Sequence, residues 1–169
     1  VMGGPDDFFL WQAQLRFKTI ISLRQGLYFE TQIHRKIKDN FDKWKLNPTS
    51  GTLRHVRSDI RKYWQNGDTY LARMQVDYLY RISNDIVGRF SAGILEEMFG
   101  GVGGEVLYMP EGKRWAIGID SYVVKQRDYD QKFTFQDYKT TTGHISFFYE
   151  LPFYNLLFNL SLVAKKMVF

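Results

Sequence analysis

The sequence predicts an all-β chain, an antiparallel up-and-down meander of about eight strands that forms part of a transmembrane β-barrel. Three observations carry this expectation. Apolar or aromatic side chains recur at every second position over eight stretches, as in strands with one apolar and one polar face. The two central stretches outrun the usual soluble strand and place aromatics near their ends, as strands that cross a bilayer do. Short connections alternate with longer polar ones, an arrangement suited to a barrel with tight turns at one end and large loops at the other.

The first strand sets Phe9, Trp11, Ala13, Leu15 and Phe17 against Gln12, Gln14, Arg16 and Lys18. A turn at Ser22 to Gly26 leads into Leu27, Phe29, Thr31 and Ile33, which alternate with Tyr28, Glu30, Gln32 and His34. From Arg35 to about Asp68 the alternation stops, and Asn47-Pro48-Thr49-Ser50-Gly51 marks a long outer loop. Within it, Ser58 to Trp64 predicts a turn or two of helix capped by Ser58, with Val56, Ile60 and Trp64 on one face.

The central hairpin is the clearest element. Tyr70, Ala72, Met74, Val76, Tyr78, Tyr80 and Ile82 alternate with Arg73, Gln75, Asp77 and Arg81. After the turn Ser83-Asn84-Asp85, the apolar set Ile86, Gly88, Phe90, Ala92, Ile94 and Met98 faces away from Arg89, Ser91 and Glu97. The glycine run Phe99 to Gly104 is read as a tight turn before a short fifth strand carrying Val106 and Tyr108. Pro110 to Lys113 is a further turn. Trp115, Ile117, Ile119 and Val123 mark the sixth strand, followed by a polar loop from Gln126 to Tyr138. Thr141, Ile145, Phe147 and Tyr149 mark the seventh, which stops at Leu151-Pro152, and Leu156, Phe158, Leu160 and Leu162 mark the eighth.

This alternation assigns orientation. Arg16, Arg73, Gln75, Asp77, Arg89, Glu97 and Glu105 are expected to face the lumen, and Trp11, Phe17, Met74, Tyr78, Phe90, Ile117 and Phe147 to face outward. A hydrophobic content of 44% with 17% aromatic residues in 169 residues suits one folded domain, here a single barrel segment over 1–169. No uncharged apolar run is long enough for a membrane helix, whereas barrel strands tolerate the mean hydropathy of -0.34. The absence of cysteine excludes disulfides, thiolate catalysis and cysteine-ligated zinc.

Chemical motifs are few. Glu96 and Glu97 are adjacent, so a strand would point them to opposite faces and they would not form a carboxylate pair. Gly101-Val102-Gly103-Gly104 lacks the following lysine and helix of a phosphate loop. Asp128-Tyr129-Asp130 begins like a calcium loop, but Lys132 stands where an oxygen ligand belongs. His34, His55 and His144 lack metal-site spacing. No catalytic residue, metal site or cofactor is expected.

Charge is more informative. Residues 35–65 hold nine Lys or Arg against Asp39, Asp42 and Asp59, interleaved with aromatics. Arg54, Arg57, Arg61 and Lys62, with Trp44 and Trp64, are the candidate glycan-binding set. Cations attract an acidic polymer and aromatic rings stack on sugars or bases. These residues alone do not separate an anionic glycan from nucleic acid.

The stretches LEEMFGGVGGEVLY (Leu95 to Tyr108), RWAIGID (Arg114 to Asp120) and KQRDYDQKF with DYKTTTGH (Lys125 to His144) resemble the YjbH/GfcD-like family of exopolysaccharide- and capsule-associated outer-membrane proteins. The likeness extends more loosely to VRSDIRKYW and GGPDDFFLWQAQLRF, and so over most of the chain. It implies a bacterial outer-membrane β-barrel that takes part in polysaccharide secretion or assembly as conduit or scaffold, without enzymatic activity. The implied partners are an acidic polysaccharide, outer-membrane lipid and other polysaccharide-export proteins, with no nucleic acid expected. Because the family's chains are several times longer, this one is expected to be an internal piece of a barrel. The alternative is a soluble or periplasmic glycan-binding β-module, and after it a glycan-processing enzyme.

Overall fold

The computed structural model describes residues 11–40, 60–151 and 157–168. Eight strands follow one another in a single sheet: β1 (Gln12–Arg24), β2 (Leu27–Asp39), β3 (Thr69–Arg81), β4 (Ile86–Ile94), β5 (Phe99–Tyr108), β6 (Trp115–Arg127), β7 (Phe135–Glu150) and β8 (Leu157–Val168). Every neighbouring pair is antiparallel and the sheet order is the sequence order. The meander is therefore as expected. Among the described residues β1 pairs only with β2 and β8 only with β7, so the sheet is open and its two edges are not joined.

One short helix, α1 (Ile60–Gln65), lies in the long connection between β2 and β3, where the sequence predicts a helical turn. Its proposed cap, Ser58, lies outside the described residues. None of the described helices is long and apolar enough to cross a membrane, which leaves crossing by strands untouched.

Cross-strand partners share a face, and the register groups the polar positions together. Gln32 opposes Arg73, Asp77 opposes Ser91, Arg89 opposes Glu105, Glu105 opposes Asp120 and Asp120 opposes His144. On the other face Val76 opposes Ala92, Tyr78 opposes Phe90, Val106 opposes Ile119, and Ile117 opposes both Tyr108 and Phe147. That second face is left uncovered by the described chain. Phe17, Ile21, Val76, Tyr78, Phe90, Val102, Ile119, Ile145 and Phe147 are all exposed large hydrophobics.

Among the described residues, the cluster of buried hydrophobic side chains sits at the end of the sheet where the connections β2–β3, β4–β5 and β6–β7 lie. Tyr63 of α1 meets Met98, Phe99 and Val124, with Trp64, Leu95, Tyr122, Tyr129 and Tyr138 around them. Phe99 and Val124 oppose Gln126 and Thr140 and so belong to the polar face. The helix thus folds inward over that face, at one end of it.

Three details depart from the sequence reading. The glycines 100–104 form the body of β5, and the turn before them is residues 95–98. Glycine in a strand weakens the turn-like composition signal as evidence, because a close neighbour can require it. Gly103 shows such a neighbour: a Cβ there would lie 2.1 Å from the ring of its cross-strand partner Tyr122. Second, β7 begins at Phe135, which shortens the loop before it to residues 128–134. Third, the register slips between Gln32 and Ile33 opposite β3, and this bulge reverses the phase of β3 at its start. Tyr70 consequently pairs with His34 on the polar face, not with the apolar set that strict alternation gave it.

The contrast between the ends is also narrower than expected. Connections of residues 40–68, 95–98 and 128–134 at one end face turns of residues 25–26, 82–85 and 109–114 at the other. Only the first is long. At the tight end, Gly26 sits at φ +78, a left-handed conformation that a side chain disfavours. Its carbonyl oxygen accepts from the Leu79 N–H at 2.7 Å, tying the first hairpin to β3.

Candidate functional site

Polar side chains of β1 to β7 converge on one face, and neighbouring strands about 5 Å apart bring them within hydrogen-bond reach. Glu30 is the hub on the β1 side, 3.2 Å from Lys18 Nζ, 3.6 Å from Arg73 and accepting from Gln32 Nε2 at 2.6 Å. His34 lies 3.3 Å from Glu97, and the Tyr70 hydroxyl donates to the same carboxylate at 3.2 Å. In the middle, buried Asp77 accepts from Gln75 Nε2 at 2.7 Å and from Ser91 Oγ at 2.5 Å. Next along, Glu105 takes a charge-assisted bond from Arg89 and a second from the Tyr122 hydroxyl at 2.7 Å. Asp120 and His144 Nδ1 are 2.8 Å apart.

A cavity of ≈ 530 Å³ lies against this face, lined from β3 across to β7 by residues that include Arg73, Arg89, Glu105, Asp120, Tyr122 and His144. The sheet is therefore hollow on its polar side. Gly103 makes room for the Tyr122 ring, which lets the phenol reach Glu105 from the neighbouring strand.

At the loop end, Arg127 is fully buried and meets backbone oxygens in place of a carboxylate. It donates to the carbonyls of Leu71 at 2.7 Å, Glu96 at 3.3 Å, Glu97 at 3.1 Å, Lys132 at 2.8 Å and Gln131. One guanidinium thus holds the start of β3, the β4–β5 turn and the β6–β7 loop together, which its five donors in a rigid fork permit. Tyr63 donates its hydroxyl to the Arg127 carbonyl, and Gln131 Nε2 donates to the Tyr63 carbonyl at 3.1 Å.

The residues expected to face the lumen are largely found together. Arg16, Arg73, Gln75, Asp77, Arg89 and Glu105 sit at polar-face register positions of β1, β3, β4 and β5. Glu97 lies in the β4–β5 turn instead of a strand, yet its carboxylate reaches the polar face at His34. Of the residues expected to face outward, Phe17, Met74, Tyr78, Phe90, Ile117 and Phe147 occupy register positions on the opposite face, all exposed except the half-buried Met74, and exposed Trp11 lies just before β1. Of the glycan-binding set, Trp44, Arg54 and Arg57 lie outside the described residues, and Arg61 belongs to α1. Lys62 donates to the Tyr129 hydroxyl at 3.1 Å and stands 4.9 Å from that ring's centre, while Trp64 packs half-buried beside the Tyr63 cluster. These two are built into the loop end.

Sequence reasoning missed Asp120, Tyr122, His144 and Arg127 as site residues. Asp120 and His144 occupy polar positions in alternating stretches, but their juxtaposition depends on the β6–β7 register, which the loop length obscured. Among the described residues no group of three or more His, Asp or Glu is placed to hold a metal ion. Asp130, in the segment that begins like a calcium loop, accepts from the Lys132 N–H at 3.0 Å and from Thr134 Oγ1 at 3.2 Å.

Comparison with known proteins agrees with the resemblance drawn from the motifs. The chain is 34% identical over 157 residues to a protein of Escherichia coli (strain K12) named "Uncharacterized lipoprotein YjbH", a match covering 90% of this chain and 22% of that relative. The chain therefore spans about a fifth of the length of the curated relative it matches. No solved structure matches. The family model for YjbH, described as "Exopolysaccharide biosynthesis protein YbjH", matches residues 1–163, and the chain belongs to that exopolysaccharide biosynthesis family.

Proposed function

We propose that this chain is a wall segment of an outer-membrane β-barrel that serves exopolysaccharide secretion or assembly as a conduit or scaffold and not as an enzyme. The observation that carries this reading is the division of one continuous meander into two unlike faces. An aqueous lumen suits the hollow ionic face, and lipid suits the uncovered apolar one. Aromatics gather on the apolar face toward the tight-turn end, where Tyr78 stacks beside Tyr80 at 5.7 Å and Tyr108 meets Trp115 edge-on at 5.7 Å. Tyr and Trp at that level fit a membrane-water boundary. The two edges, β1 and β8, are completed on this reading by further strands of the barrel, since lipid leaves no unpaired strand edge satisfied. A relative named as a lipoprotein is consistent with attachment to a membrane.

The cationic residues 35–65 belong to the same proposal, as the place where an acidic polymer meets the loop end. The decisive experiment is membrane fractionation of the full-length protein with gel migration compared before and after heating. An outer-membrane fraction with heat-modifiable migration is expected. A periplasmic protein of unchanged migration would instead favour the glycan-binding β-module.

A further inference from the structure

The charged groups lining the cavity bear on which polymer it could accept. Two guanidinium groups, Arg73 and Arg89, line it against three carboxylates, Glu96, Glu105 and Asp120. Its cations are also committed to partners: Arg73 faces Glu30, and Arg89 is held by Glu105. A pore for a polyanion presents cationic side chains to its cargo, and among the described residues no such ladder lines this cavity. An anionic sugar entering here would have to compete with Glu105 for Arg89 and with Glu30 for Arg73.

What the cavity offers instead is hydrogen-bonding capacity held in fixed geometry. A sugar hydroxyl both donates and accepts, so it is matched by paired groups that present both functions side by side. Arg89 with Glu105 is one such pair, a guanidinium donor fork beside a carboxylate acceptor. Asp120 with His144 adds acceptors: when Nδ1 donates its proton to Asp120, the remaining carboxylate lone pairs and Nε2 are both left to accept from sugar hydroxyls. The rings of Tyr122 and Phe99, both in the lining, add apolar surface between the polar groups. A few oriented polar groups among apolar walls is the usual anatomy of a small-molecule site.

We propose that this cavity is a subsite for an uncharged, hydroxyl-rich sugar residue of the polymer, read by the Arg89–Glu105–Tyr122 and Asp120–His144 groups. The proposal rests on the conduit reading above and adds a charge selection to it. It also separates two roles, attraction of acidic polymer by the cationic residues 35–65 and recognition of an uncharged sugar by the lining of the cavity.

The test is calorimetric titration of the full-length, detergent-solubilised protein with a panel of neutral gluco-, galacto- and manno-oligosaccharides and with an oligogalacturonate of matched length, at low and high salt. At least one neutral oligosaccharide is expected to bind with an affinity unchanged by salt, because no net charge is screened. Glu105→Gln should weaken that binding and, by releasing Arg89, raise oligogalacturonate affinity by about tenfold at low salt. Asp120→Asn removes the carboxylate directly across from Glu105 on β6 and should move selection the same way, should the first variant fold poorly. Tighter wild-type binding of the oligogalacturonate, lost at high salt and indifferent to Glu105→Gln and Asp120→Asn, would overturn the proposal. So would a panel with no neutral binder. In either case retained heat-modifiable migration leaves the barrel reading standing, and its loss defeats that reading independently.

Discussion

The hydroxyl of Tyr63 donates to the carbonyl oxygen of Arg127, fastening the short helix α1 to the last residue of β6. That contact matters because Arg127 is itself a junction, its guanidinium shared among carbonyls of three separate segments. Removing it leaves several buried carbonyls without donors, each at a cost of about 1–3 kcal/mol before relaxation. Arg127→Met should therefore lower stability by roughly 3 kcal/mol or more. Arg127→Lys should recover little, since one ammonium lacks the fork that spans these acceptors. Tyr63→Phe, which keeps the ring, should cost only about 1 kcal/mol. The temperature at which the folded, fast-migrating species of the full-length protein disappears gives the ranking, and an Arg127→Lys variant as stable as the parent would contradict it.

Gly103 and Tyr122 give a second expectation. A methyl at Gly103 would press on the Tyr122 ring and lie 2.5 Å from the Ser121 carbonyl oxygen. Overpacking of this kind costs about 1–3 kcal/mol. Gly103→Ala should therefore destabilise the sheet and turn the phenol away from Glu105, with a change in tyrosine fluorescence or near-ultraviolet dichroism. Tyr122→Ala introduced into that variant should restore only part of the stability, because the backbone oxygen stays in place. Full restoration would locate the clash in the ring alone.

The pair also shows what the sequence could and could not convey. Period-two alternation was enough to order eight strands and to sort Arg73, Asp77 and Arg89 from Val76, Tyr78 and Phe90, because one register error would have put charges on the apolar face. It failed where the backbone breaks that period. The bulge opposite Gln32 and Ile33 returns Tyr70 to the polar face, and no residue type in the sequence announces it. Glycine was misleading for a related reason: in β5 it clears space for a neighbour across the sheet, and such a neighbour becomes visible only once register is known. Arg127 was hidden more deeply. An arginine amid Gln126, Asp128 and Asp130 looks like part of a solvated loop, and only the convergence of three chain segments turns it into a buried junction.

For the cationic stretch, neutralising Arg54, Arg57, Arg61 and Lys62 together as glutamines should reduce retention of an anionic oligosaccharide. The difference from the parent should shrink at high salt, where exposed charges are screened within about 10 Å or less. Binding of a neutral oligosaccharide should be unaffected. Lys62 contributes least on this account, because it is held against Tyr129. Affinity columns carrying each sugar measure both, and an unchanged anionic retention would reduce the stretch to solvated surface.

Depth along the apolar face supplies the last prediction. Val76 lies in the middle of β3, opposite Phe29 and Ala92, away from either end of the sheet. Ile117 lies near the start of β6, opposite Tyr108 and Phe147, at the level of the Tyr108 and Trp115 rings. If this face meets lipid, an arginine at the first position sits near the bilayer midplane and costs about 2–4 kcal/mol, whereas one at the second sits near the boundary and costs about 0–1 kcal/mol. A buried protein core would penalise both substitutions, with no dependence on height along the strand. Val76→Arg and Ile117→Arg, compared by denaturant unfolding of the full-length protein in lipid bilayers, therefore test the membrane reading through a difference between two like substitutions. Equal penalties would place the apolar face against protein.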